Sequence, residues 1–154
     1  MGIDIVYTNG GDPDFVALCE KLDRHLSGLE GENYQEDYRQ YNGLDDIEDA
    51  FVAYADGKPA GCVSFKRHQS TGAAELKRMF VLDECRGKGV ARLLLAAVEE
   101  KAAEKGYAVL ILETGKHLTS AQNLYRNAGF TVFPNYDQYV DMPNSICMRK
   151  AIGG

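Results

Sequence analysis

The chain has 154 residues, 45% of them hydrophobic and 26% charged, a size and composition that suit one globular domain with a single core. Its formal net charge of −6 argues against nucleic acid as a partner, because phosphate binding needs a basic surface. No apolar run reaches the roughly 18 residues that span a bilayer, and "MGIDIVYTNGGDPDF" lacks the basic start and apolar core of a signal peptide, so a cytoplasmic protein without membrane contact is expected.

Alternation of Ile3, Ile5 and Tyr7 predicts a first strand, which "NGGD" ends. Asp12 before Pro13 reads as a helix cap followed by proline at the first helical position, and Phe15, Leu18, Cys19, Leu22 and Leu26 recur at helical spacing. From Gly28 to Leu44 the chain is polar, aromatic and acidic. Tyr34, Tyr38 and Tyr41 there predict a short helix whose rings either pack on the core or wall a substrate pocket. Asp56-Gly57 joins "AFVAYA" and "KPAGCVSFK" into a hairpin.

A third strand, "AAELKRMFVL", alternates Glu75, Lys77, Met79 and Val81 against Leu76, Arg78 and Phe80. The helix after it carries an apolar face of Val90, Leu93, Leu94, Ala97, Val98 and Ala102 and stops at Gly106. "YAVLILET" is a nearly continuous apolar run, hence a buried strand parallel to the one before the helix. Thr119 with Gln122 reads as a capping box for a short helix ending at Ala128-Gly129, and "FTVFP" and "SICMRKAI" supply the last strands. The whole is an α/β sandwich with a mixed sheet, one domain over residues 1–154.

Cys19, Cys62, Cys85 and Cys147 form no C-x-x-C pair, and His25, His68 and His117 are dispersed. Reduced thiols and no metal site are expected, with Cys62 and Cys147 in the core and Cys85 a loop filler.

The stretch "DECRGKGVARLLLAAVEE" starts a helix without a Ser, Thr, Asp or Asn cap and with cations in place of an acidic first turn. Glycines after a strand and before a helix let the backbone approach a ligand, and successive N–H groups then converge on one anion. Arg86, Gly87, Lys88, Gly89, Val90 and Ala91 therefore read as a pyrophosphate cradle, against the plainer reading of a glycine-rich helix start. Val90 and Ala91 stand where a P-loop needs its Lys-Ser/Thr pair, and Arg92 stands where a dinucleotide fingerprint needs its third small residue.

With the strand "ELKRMFV" before it and "SAQNLYRNAGF" after it, this loop resembles the acetyl-CoA-binding core of the GNAT family of N-acetyltransferases. The R/Q-x-x-G-x-G/A pattern is matched at Arg86, Gly89 and Ala91, and an A-x-x-L-Y-x-x-x-G-F pattern at Ala121, Leu124, Tyr125, Gly129 and Phe130. The resemblance implies a mostly antiparallel mixed sheet with a splayed parallel central strand pair and helices on both faces. It also implies a coenzyme A diphosphate on the Arg86–Ala91 amides and a pantetheine arm pairing with Met79, Phe80 and Val81, whose N–H groups are candidate oxyanion donors. Many relatives carry an asparagine that can contact the cofactor where this chain has Leu118.

Acetyl transfer to an amine needs a proton acceptor for the amine and a proton donor for the departing thiolate. Tyr125 matches the family's general acid, its other reading being a helix aromatic packed on the sheet. Glu75 is the candidate base, or else half of a surface ion pair beside Lys77 and Arg78. Tyr34, Tyr38, the hairpin and "PNYDQYVDMPNS" are expected to build the acceptor pocket. Glu32, Glu36 and Asp37 would favour a cationic amine, and Tyr136 and Tyr139 would wall the pocket or a homodimer contact. The expected reaction is acetylation of a small-molecule, or peptide, primary amine by direct attack in a ternary complex. Its rivals are a non-catalytic acyl-CoA sensor and a nucleotide-binding protein using the same glycines.

Overall fold

A computed structural model describes residues 2–30, 44 and 46–153. Its strands are hydrogen-bonded in the order β1 (Ile3–Thr8), β2 (Asp49–Ala55), β3 (Lys58–Arg67), β4 (Ala74–Val81), β5 (Val109–Gly115), β7 (Ser145–Ala151), β6 (Thr131–Phe133). The helices are α1 (Pro13–Glu30), α2 (Val90–Glu104) and α3 (Thr119–Asn127). The chain falls into two units, Met1–Lys66 with Lys77–Val98, and Arg67–Leu76 with Glu99–Gly154. The expected tyrosine helix, with Tyr34, Tyr38 and Tyr41, lies outside the described residues, as do Glu32, Glu36 and Asp37.

In the first unit, β1 pairs antiparallel with β2 from Ile3↔Ala55 to Thr8↔Ala50, and β2 forms a hairpin with β3. The turn is Asp56-Gly57, with φ of 52° and 82°, the pair of left-handed residues that matches the twist of both strands. Asp12 Oδ1 accepts from the N–H groups of Asp14 (2.8 Å) and Phe15 (3.2 Å), so α1 starts where the Asp-Pro pair predicts. Phe15, Leu18, Cys19 and Leu22 then bury one face of α1 in a core with Ala50, Val52, Cys62 and Phe80.

The expected alternation of β4 fails at Arg78, which takes φ of 59°. A left-handed conformation costs roughly 1–2 kcal/mol for a residue with a Cβ, and it breaks the regular course of the strand at Arg78. Three contacts hold it: Arg78 Nη1 donates to Asp23 Oδ1 at 2.6 Å, Cys62 Sγ donates to the Arg78 carbonyl at 3.3 Å, and Ser64 Oγ donates to the Lys77 carbonyl at 3.2 Å. The face of α2 is also rotated from expectation. Val90, Leu94, Leu95, Val98 and Ala102 are buried while Leu93 is 43% exposed. The i, i+4 row from Val90 drifts about 40° per step, and the stripe it traces takes in Leu95 and leaves Leu93 outside.

In the second unit, β5 lies antiparallel to β7 from Val109↔Ala151 to Gly115↔Ser145, and β6 flanks β7. β4 is parallel to β5, and among the described residues their register covers only Ala74↔Leu110 and Glu75↔Ile111, although both strands run on. Leu110, Leu112, Cys147 and Met148 are fully buried. Thr119 and Gln122 do not form the expected capping box. Leu118 is the N-cap without a side-chain bond, and Gln122 Nε2 instead donates to the carbonyls of Gly115 (2.9 Å) and Lys116 (2.7 Å). A buried amide satisfying two loop carbonyls outweighs the weaker cap that Thr119 would have supplied.

Candidate active site

The glycine loop lies in the first unit. After β4 the chain makes a short 3₁₀ turn at Asp83–Cys85, closed by the Arg86 N–H on the Asp83 carbonyl at 3.2 Å. Arg86 stiffens this corner: its Nε donates to the Val81 carbonyl at 3.4 Å, and its Nη2 lies 3.4 Å from Asp83 Oδ1. Gly87 and Gly89 then take φ of 77° and 86°, left-handed conformations on either side of Lys88 of the kind from which anion-binding nests of successive amides are built. A Cβ placed on either glycine meets nothing within 4 Å. The cradle is therefore open to solvent on the glycine side. The Leu93 N–H donates to the Gly89 carbonyl at 3.1 Å at the start of α2, and the amides of Val90, Ala91 and Arg92 before it form the donor end of the helix. Donors of this kind beside Lys88 and Arg92 fit a diphosphate.

The backbone of β4 divides the Met79–Val81 trio. A Cβ on Gly61 of β3 would come within 2.7 Å of the Phe80 carbonyl, so that carbonyl faces β3. In a regular strand the neighbours of Phe80 turn their polar groups to the opposite edge, and the Val81 carbonyl accepts from Arg86 Nε. The Phe80 ring is buried in the core beside His25, with 6.1 Å between ring centroids.

Tyr125 belongs to the second unit, where the end of α3 sets its position. Gly129 has φ of 100°, the Gly129 N–H reaches the Arg126 carbonyl at 3.0 Å, and the Phe130 N–H reaches the Tyr125 carbonyl at 3.0 Å. This is a Schellman ending, and its usual apolar contact is the edge-on packing of Phe130 against Tyr125, 5.7 Å between centroids. The Leu-Tyr-x-x-x-Gly-Phe spacing thus has a physical reason: the glycine ends the helix and the phenylalanine clamps the tyrosine. Tyr125 is 5% exposed, and burial first, then the Glu113 carboxylate, pushes its phenol well above the ordinary tyrosine value.

Glu75 is only 5% exposed and so does not lie at the surface, and Arg78 pairs with Asp23. The Tyr136 hydroxyl donates to Glu75 Oε2 at 2.7 Å. Tyr136 stacks on Phe133 (5.8 Å, 28°) and meets His68 edge-on (4.9 Å, 68°). His68 Nε2 lies 2.5 Å from Asp137 Oδ2 and His68 Nδ1 lies 2.8 Å from Thr71 Oγ1. Burial, then Glu75, raises the Tyr136 phenol far above its usual range. The sequence suggests Tyr136 as a pocket wall but not as a partner of Glu75, and it reaches Asp137 only as part of the expected pocket segment; it gives no hint of His68, Phe133 or Arg149.

Residues 15–130 match the family model of the GNAT acetyltransferases. The chain belongs to the GNAT family. It is 32% identical over 141 residues to an IAA acetyltransferase of Azospirillum brasilense, covering 89% of this chain and 90% of that protein. A Klebsiella pneumoniae structure described as an acyl-CoA N-acyltransferase superposes with a TM-score of 0.80 at 26% identity, covering 97% of each chain. A streptothricin acetyltransferase structure from Bacillus anthracis, in complex with acetyl coenzyme A, shares the fold with a TM-score of 0.59 at 21% identity over 67% of this chain and 61% of that one. This GNAT chain is accordingly an acetyltransferase, and acetyl-CoA is the family's acyl donor.

Proposed function

We propose that this GNAT chain acetylates a primary amine of a small molecule by direct attack in a ternary complex, as one acetyltransferase domain of the cytoplasm. The opening of α2 carries the reading: the left-handed Gly87 and Gly89 and the capless donor end behind them suit a diphosphate. Arg86, Gly87, Lys88, Gly89, Val90 and Ala91 would hold the diphosphate of acetyl-CoA, and the outward backbone of Met79 and Val81 would take its pantetheine arm by strand addition. Acetyl-CoA supplies the activated acyl group.

The chain's own residues supply the proton traffic. The Glu75 carboxylate, oriented by the Tyr136 hydroxyl on Oε2, accepts a proton from the incoming ammonium. Tyr125, kept protonated by burial, donates to the departing thiolate. Main-chain N–H groups at Met79 and Val81 steady the carbonyl oxygen, and orientation of both substrates supplies much of the remaining rate. The four cysteines are free thiols, which suits the reducing cytoplasm.

The test is release of free coenzyme A from acetyl-CoA across a library of primary amines. Amine-dependent release, with acetylated product found by mass spectrometry, is expected. Tight binding of acetyl-CoA with no release for any amine would contradict catalysis.

A further inference from the structure

Glu75, Ile111 and Arg149 form one row across the sheet of the second unit: Glu75 is the register partner of Ile111, and Ile111 is the register partner of Arg149. Register partners project from the same face, and adjacent strands lie about 4.8 Å apart, so the carboxylate and the guanidinium stand on one face roughly 10 Å apart at their backbones, with an isoleucine between them.

A cavity of about 220 Å³ opens on this face, lined by Ala73, Val109, Ile111, Phe133 and Arg149 among others. Glu75 does not itself line the cavity; the link runs through Ala73, two residues before it, and through Phe133, which stacks on the Tyr136 ring whose hydroxyl holds Glu75. Its floor is apolar, and the Arg149 guanidinium sits 6.0 Å over the Phe133 ring at its rim, exposed to solvent. It is smaller than the 300–1,000 Å³ typical of drug-sized sites, and suits a molecule of about amino-acid size.

From this row and cavity we propose that the acceptor is a primary amine bearing a carboxylate across a short apolar spacer, with Arg149 as the residue that selects the carboxylate. The amine lies toward Glu75, the spacer crosses Ile111 beside Val109 and Phe133, and the carboxylate meets the Arg149 fork. An arginine offers paired donors that match a carboxylate, and the ring beneath it limits its motion before the ligand arrives. The assignment rests on the amine acetylation proposed above, with Glu75 as its base, and adds the acceptor's chemical class.

Two measurements separate this inference from the acetylation reading. In the first, kcat/KM is determined for 4-aminobutanoate and 6-aminohexanoate against butylamine and hexylamine, with the parent, Arg149→Met and Arg149→Lys. The parent should prefer the amino acids at least tenfold. Arg149→Met should erase that preference through KM, and Arg149→Lys should retain part of it. In the second, binding of hexanoate, which has no amine, is measured by calorimetry, with acetyl-CoA affinity as the control for folding. Hexanoate should bind the parent and lose at least tenfold in affinity with Arg149→Met, whether or not any amine is acetylated. Equal use of alkylamines by the parent, or hexanoate binding that is absent or indifferent to Arg149, would overturn the assignment. No turnover of any amine with Arg149-dependent hexanoate binding intact would uphold the carboxylate site and contradict the acetylation reading alone.

Discussion

The Tyr136 hydroxyl donates to Glu75 Oε2 across 2.7 Å, tying a loop near the C-terminus to the first residues of β4. Phe133 stacked on one side and His68 edge-on restrict the ring, so the bond fixes the direction of the carboxylate. With Glu75 as the proposed base, Tyr136 would act through it as a positioning residue. Tyr136→Phe should lower kcat about tenfold, the size expected for losing one hydrogen bond to a charged group. Acetyl-CoA affinity should remain that of the parent. Steady-state kinetics with calorimetry read both quantities, and an equal loss in both would point to general disruption.

Tyr125 should leave a mark on the pH profile. A proton donor is active while protonated, and burial raises this phenol above its ordinary value, so it keeps its proton beyond the usual tyrosine range of about 10. The rate should therefore show no decline on the alkaline side up to about pH 9.5. Tyr125→Phe should cost about 10²–10⁴ in kcat, the ordinary worth of general acid catalysis, with the Schellman ending of α3 intact. Undiminished turnover by the variant would remove Tyr125 from the mechanism.

Gly61 reports on the strand proposed to take the pantetheine arm. A methyl group there would sit 2.7 Å from the Phe80 carbonyl, within 3.2 Å of Val81 Cγ2 and within 3.3 Å of Leu94 Cδ1. Backbone cannot yield as a side-chain tip can, so β4 has to shift. Gly61→Ala should cost about 1–3 kcal/mol of stability and weaken acetyl-CoA binding, as chemical denaturation and calorimetry would show.

Asp12→Ala tests the start of α1 without touching the site. Removing the cap acceptor of the Asp14 and Phe15 amides should cost about 0.5–2 kcal/mol, a drop of a few degrees in thermal midpoint by circular dichroism.

Elements marked by local chemistry were legible in the sequence: Asp12-Pro13 starting α1, Asp56-Gly57 turning the hairpin, Gly106 and Gly129 ending helices. Each is a short-range rule about dihedrals or capping, and each holds. The left-handed Arg78 was hidden because its support comes from Asp23, Cys62 and Ser64, partners distant in sequence. The face of α2 was misjudged because three consecutive leucines, Leu93 to Leu95, allow more than one phase, and tertiary packing chose. Within the site, the glycine loop and Tyr125 were readable because their motifs encode backbone geometry. Arg149 across Ile111 arises from strand register, and Tyr136 reaches Glu75 from the segment after β6, long-range relations that no local pattern of residues displays.

The most direct measurement is calorimetric titration of acetyl-CoA into the parent and into Gly89→Glu, without magnesium. The φ of 86° at Gly89 adds some strain to any side chain there, yet its Cβ meets no protein atom, so the fold should survive while the new carboxylate repels the diphosphate. The expected result is one molecule bound to the parent and at least a hundredfold weaker binding to Gly89→Glu at nearly unchanged thermal midpoint. Equal affinity in the two proteins would contradict the assignment of these amides to the diphosphate.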